Sequence, residues 1–128
     1  GVLEFIKQVR KEGRVHLSYG CEGFLGNYES EVRDHFYSCN AGISVASVLA
    51  DGSISACPSI RSNFHQGNIY KDNFMEVWEK RFQMFREWAR KGECADCSFF
   101  RYCEGNGMHL HNDEGELLFC HQKRIVKL

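Results

Sequence analysis

Four of the seven cysteines in this 128-residue chain fall near its end, at Cys94, Cys97, Cys103 and Cys120. The first three read Cys-x2-Cys-x5-Cys, a spacing that suits one tetrahedral metal or iron–sulfur centre closed by a distant fourth thiolate. Two cysteines with two residues between them grip one metal while the intervening amides point toward sulfur. Zinc and iron both accept that pair, so it does not name the metal. Four thiolates complete a zinc site or a cubane and leave no position for water, which points to a structural or electron-transfer role rather than hydrolysis. Cys21, Cys39 and Cys57 form a sparser second group, whose fourth place would be empty or taken by a histidine, a carboxylate or an exogenous ligand. His16, His35, His109 and His111 are chemically able, although each by itself reads first as an ordinary surface histidine. His121 abuts Cys120, but adjacency in sequence does not aim its ring at the same metal.

Seven cysteines also admit a disulfide framework in an extracellular structural domain, with one thiol left over. The close Cys-x2-Cys and third cysteine read as ligation instead, and favour a reducing, cytoplasmic home. The length suits one domain, or one with a small satellite, and a moderate core that does not depend wholly on metal. A formal charge of -1 gives no reason to expect nucleic acid or an anionic membrane as partner. Lys80-Arg81 and Gln122-Lys123-Arg124 read as solvated faces. No apolar run reaches the roughly 20 residues needed to cross a bilayer, and no secretory leader is seen.

The elements that must position these thiols follow from periodicity. Val2, Leu3, Phe5, Ile6 and Val9 predict an amphipathic helix over Val2 to Lys11, released by Gly13 into a strand over Val15 to Tyr19. Gly20 to Gly26 is too glycine-rich for regular structure, and a short helical turn is expected within Glu29 to Phe36. Ile43 to Leu49 and Ser53 to Ala56 predict a hairpin over Asp51-Gly52, bringing Cys39 and Cys57 to one end of the ribbon. Pro58 stops the second strand. Asn73 with Glu76 forms a capping box that opens one helix carrying Phe74, Val77, Trp78, Phe82, Phe85, Trp88 and Ala89 on a core or interface stripe. Lys91-Gly92 closes that helix with a left-handed cap, immediately before Cys94. Glu114-Gly115 reads as a turn between short strands, ahead of Cys120. The expected fold class is α+β: a small, irregular, cysteine-rich domain with a hairpin and a capped amphipathic helix.

Taken together, these features resemble the SPASM domain, the auxiliary-cluster extension of radical S-adenosylmethionine enzymes. Its members carry Cys-x9–15-Gly-x4-Cys, then Cys-x2-Cys-x5-Cys-x3-Cys, then a last cysteine. Here twelve residues separate Cys39 from Gly52, and Cys57 follows after four more. Cys94, Cys97 and Cys103 match the second block, and Cys120 supplies the last cysteine. Cys57-Pro58, Gly67-Asn68-Ile69, Val77-Trp78 and Tyr102-Cys103 are also similar to the family's phrasing, and the likeness runs from about Cys39 to His121. One departure stands out: Cys103-Glu104-Gly105-Asn106-Gly107 places Gly107 where the family has its seventh cysteine. The resemblance implies an intact second auxiliary cluster on Cys94, Cys97, Cys103 and Cys120. It implies an incomplete first one, for which Cys39 and Cys57 remain and Cys21 is a candidate, or else its loss. It implies a [4Fe–4S] cofactor, electron transfer, a radical S-adenosylmethionine barrel in the same parent chain and a peptide or protein substrate. Cys-x3-Cys-x2-Cys, which holds the S-adenosylmethionine-binding cluster, does not occur, so S-adenosylmethionine chemistry is expected only of a separate catalytic domain. Residues 1–20 are expected to be the end of that barrel and residues 21–128 the auxiliary domain. The alternative is a zinc-stabilised structural or protein-binding module, and zinc could also enter a cluster site during aerobic preparation.

Overall fold

The computed structural model describes residues 1–87 and 92–126. The chain forms two compact units: Gly1–Cys39 with Gly92–Leu128, and Asn40–Lys91. The architecture is α+β, with short helices and a small antiparallel sheet.

In the first unit, helix α1 (Val2–Glu12) forms as its apolar spacing predicts and ends at Gly13, whose φ of 68° only glycine adopts cheaply. Its inner face brings Ile6 against Leu25 and Val32, flanked by Leu3, Leu17, Tyr19, Tyr28 and Ile125. The strand expected at 15–19 does not form. Tyr19 N–H instead donates to Val32 O at the end of the short helix α2 (Glu29–Val32), so the segment finds a helical turn rather than a strand as neighbour. Glu29 and Arg33 are a buried ion pair on one face. Glu29 accepts the N–H groups of Leu25 and Tyr37. Arg33 donates to the carbonyls of Gly20 and Gly23 and lies over the rings of Tyr19 and Tyr37. This pair gives the glycine-rich loop around Cys21 its shape. The C-terminal part adds α5 (Phe100–Cys103) and α6 (His121–Val126).

The second unit carries the sheet β1–β2–β3, with β1 (Ser47–Val48), β2 (Ser53–Ser55) and β3 (Gly67–Asn68). The hairpin is present but shorter than its apolar run suggested, because Asn40 O gathers the N–H groups of Ile43, Ser44 and Val45 into a turn. Leu49 pairs with Ser53 across a three-residue loop, and only Gly52, at φ 84°, takes a positive φ there. Strand β3 was not anticipated; a two-residue strand of Gly and Asn has no hydrophobic alternation to reveal it. Its turn is held by Asp72, which accepts Asn68 N–H, and by Arg81, which bonds Asp72 and Gln66 O.

The single long helix expected after Asn73 is instead two: α3 (Phe74–Lys80) and α4 (Gln83–Arg86). Asn73 caps α3 as predicted, its side chain accepting Glu76 N–H at 3.1 Å. No glycine or proline marks the break. Side chains from α4 answer the open carbonyls of α3, Gln83 on Glu79 O and Arg86 on Trp78 O. The break lets Phe82 and Phe85 join Ile54, Ala56, Ile60 and Val77 among the buried residues. Trp88, Ala89 and Lys91 lie outside the described residues. Gly92 has the expected left-handed φ of 53° and opens a 3-10 turn, Gly92–Cys94.

Candidate metal centre

All seven cysteines are thiols, with no disulfide among them. Cys94, Cys97, Cys103 and Cys120 line one cavity of about 610 Å³ in the first unit. Three local devices bring them there. The 3-10 turn Gly92–Cys94 is followed by a turn in which Cys97 N–H donates to Cys94 O, turning the first pair inward. Helix α5 then carries Cys103 at its last position. Asn112 closes the next turn, its side chain accepting the N–H groups of Glu114 and Glu116. A single antiparallel bridge, His111 to Leu117, then sends the chain back toward Cys120. The turn expected at Glu114-Gly115 is therefore real, while the short strands around it reduce to that bridge.

After Cys103 the chain takes an unusual path. Glu104, Gly105 and Asn106 all have positive φ, at 53°, 86° and 64°. This left-handed run turns Gly105 N–H back onto Cys103 Sγ at 3.4 Å. Asn106 is held in place by its side chain, which accepts Phe24 N–H at 2.9 Å, and the bond brings the buried Phe24 to the cavity wall. Phe99, Phe100 and Leu117 complete an apolar lining. Phe24 and Asn106 escaped the sequence reading; the Gly105-Asn106 turn signal just after a cysteine was the available clue.

The electrostatics follow from this enclosure. Burial raises the Cys94 thiol above its ordinary range, and the neighbouring Cys103, Cys120 and Cys97 raise it further. Burial likewise raises Cys103, opposed by the Gly105 amide. Sulfurs that make one another hard to ionise form a donor set that a cationic centre would relieve, since ligation requires thiolates. Lys123 lies at the rim, paired with Glu93 at 3.1 Å. Among the described residues, no three His, Cys, Asp or Glu side chains are grouped tightly enough to hold a single metal ion. The four thiols therefore share a cavity without closing to single-ion spacing. Their chemistry, four thiols in one apolar enclosure, is that of soft ligands suited to zinc or to an iron–sulfur cluster.

The remaining site candidates sit elsewhere. Cys57, in the second unit, accepts Ser59 N–H on its sulfur at 3.4 Å in the Pro58 turn. Cys21 is exposed and Cys39 half-buried, both in the first unit near Tyr37. His121 packs edge-on against Phe119 and lies by Glu22 rather than in the cavity wall. His111 is buried, with Nδ1 on Gly107 O. His16 pairs with Asp34 and His35 is exposed. A larger cavity of about 790 Å³ along α1 includes none of the cysteines and carries the ion pairs Lys7–Glu31 and Arg10–Asp34.

A short sheet, capped helices and an enclosed set of four thiols make up a small cysteine-rich α+β architecture. Residues 39–98 match the sequence model of the SPASM family, described as an iron-sulfur cluster-binding domain. The matched segment, just under half of the chain, is thus similar to the SPASM domain, and the similarity supports an iron–sulfur role. Cys103 and Cys120 lie beyond the matched stretch. No curated protein and no solved structure matches the chain. No helix among the described residues is long and apolar enough to cross a membrane.

Proposed function

We propose that this chain is the auxiliary-cluster part of a radical S-adenosylmethionine enzyme that modifies a peptide or protein, with Cys94, Cys97, Cys103 and Cys120 as ligands of a [4Fe–4S] centre. The observation that carries this reading is the convergence of these four thiols on one apolar cavity. When bound, the centre would supply one-electron transfer. The chain's own part is to present thiolates, exclude water with Phe24, Phe99, Phe100 and Leu117, and tune the cluster through the Gly105 amide on Cys103. The partner is the catalytic barrel of the same parent protein. The partly exposed rings of Phe36, Phe99 and Tyr102, grouped around Phe24, are a surface suited to substrate docking. By the same reading Cys21, Cys39 and Cys57 are candidate donors for a further cluster.

Anaerobic reconstitution with iron and sulfide should give a brown protein with about four irons per intact site. Cys97→Ala should lose most of the iron of that site, whereas His35→Ala, at an exposed position, should retain it. Recovery of one zinc per chain together with failure to assemble a sulfide-containing cluster would establish the zinc-stabilised alternative and end this reading.

A further inference from the structure

We infer that Gln122 donates a hydrogen bond, through its side-chain Nε2–H, to a sulfur of the centre held in the four-thiol cavity, and thereby helps set that centre's reduction potential. The inference rests on the iron–sulfur reading of the cavity. Gln122 stands in the first turn of α6, two residues beyond Cys120, and lines the cavity together with Cys94, Cys97, Cys103 and Cys120. It is only 9% exposed. Its Oε1 is buried with no hydrogen-bond partner among the described residues. Buried polar groups are almost always answered, so an unanswered one on the wall of a ligand cavity calls for a reason.

Other polar groups on the same wall already have partners. Glu93 and Lys123 pair with each other at 3.1 Å, and Asn106 Oδ1 accepts Phe24 N–H at 2.9 Å. Gln122 differs. Its carbonyl end is seated over Gly26, where a Cβ would collide with Oε1 outright, whereas Nε2 stands 3.2 Å from that position. Gly26 is not one of the residues around the cavity. The amide therefore turns its oxygen toward a residue behind the wall and leaves its NH2 end for the wall itself. Gly26, at φ 60°, has no side chain to displace the amide from this orientation. Excluding water needs only apolar groups such as Phe24 and Leu117, and a buried carboxamide in their place is costly unless its hydrogens find an acceptor. Cysteinyl and inorganic sulfurs of a cluster are anionic acceptors in an apolar enclosure, so a hydrogen bond to them is charge-assisted. Such a bond favours the reduced, more negative form of the centre and raises its potential. Gln122 would act in this way beside the Gly105 amide on Cys103.

The test uses the whole chain with its glutamine side chains labelled with a heavy nitrogen isotope, reconstituted anaerobically with iron and sulfide and then reduced with dithionite. Pulsed electron paramagnetic resonance should show a weak coupling to the labelled nitrogen, lost in Gln122→Met. Redox titration should place the Met variant at a more negative potential than the wild type, with the same iron content, because Gln122 is not a ligand. Gly26→Ala, which keeps the glutamine but collides with Oε1, should weaken the coupling and shift the potential in the same direction. A role in packing alone would give no coupling and leave the potential of Gln122→Met unchanged. Absence of the coupling in the wild type, its survival in Gln122→Met or unweakened in Gly26→Ala, or a Met-variant potential equal to or above the wild type's would each overturn the assignment and leave the cluster reading intact. Loss of iron in Gln122→Met would make the residue a support for assembly and overturn it as well. Failure of the wild type to assemble any cluster would overturn the iron–sulfur reading, and this inference with it.

Discussion

Cys103 shows how much a single ligand position depends on the residues behind it. Its sulfur receives Gly105 N–H only because three successive residues accept positive φ, two of them not glycine. Such strain persists where surrounding bonds enforce it, here Asn106 Oδ1 on Phe24 N–H. Away from the thiols, Asp72 is the clearest single-residue test of electrostatics. Its carboxyl is held below the ordinary value of 3.8, first by Asn68 N–H and then by the Arg81 guanidinium. The folded carboxyl is more acidic than the unfolded one. Its contribution to the β3 turn is therefore full above about pH 3.8 and lost as pH falls through the folded value. Carboxyl-detected titration by NMR should give a midpoint below 3.8, and Arg81→Ala should raise it only part of the way back. A midpoint at or above 3.8 would show that the Asn68 bond does not persist in solution.

At the level of elements, the start of α3 and the glycine stop of α1 were legible, whereas the end of α3 was not. The Asn73 cap is a local arrangement of one side chain and one amide three residues on, so sequence spacing suffices to see it. Asn73→Ala should cost about 1 kcal/mol of stability, read as a lower urea midpoint with the m-value unchanged. The break before Gln83 depends on Arg86 and Gln83 reaching back to carbonyls of α3, and no propensity announces it. The Glu29–Arg33 pair is similar. Its spacing of four residues is visible, but its burial and its grip on the Cys21 loop are not. Arg33→Met would leave Glu29 buried and uncompensated, a loss of about 3–5 kcal/mol by urea unfolding. Replacing both residues by apolar ones should cost less than the single change.

The whole molecule distributes its sulfur chemistry unevenly. Cys94, Cys97, Cys103 and Cys120 all belong to the unit formed by Gly1–Cys39 and Gly92–Leu128, whereas the sheet and α3 belong to Asn40–Lys91. The sheet unit has its own buried core of Ile54, Val77, Phe82 and Phe85. If the proposed cluster binds the first unit, anaerobic chelation of iron should lower hydrogen-exchange protection over residues 92–126 far more than over residues 47–80. Equal loss in both would mean that the metal supports the chain in some other way.

Sequence alone determined the α+β class, helix α1 with its glycine stop, the Asp51-Gly52 hairpin, the Asn73 cap and the family likeness. These depend on contacts a few residues apart or on the order of cysteines along the chain. The tertiary structure decided that Phe24 walls the four-thiol cavity and that Gln122 is seated over Gly26. It also decided that α3 and α4 are separate. Each of those outcomes depends on which distant groups compete for the same buried volume or hydrogen bond, and such competition exists only once the chain is packed.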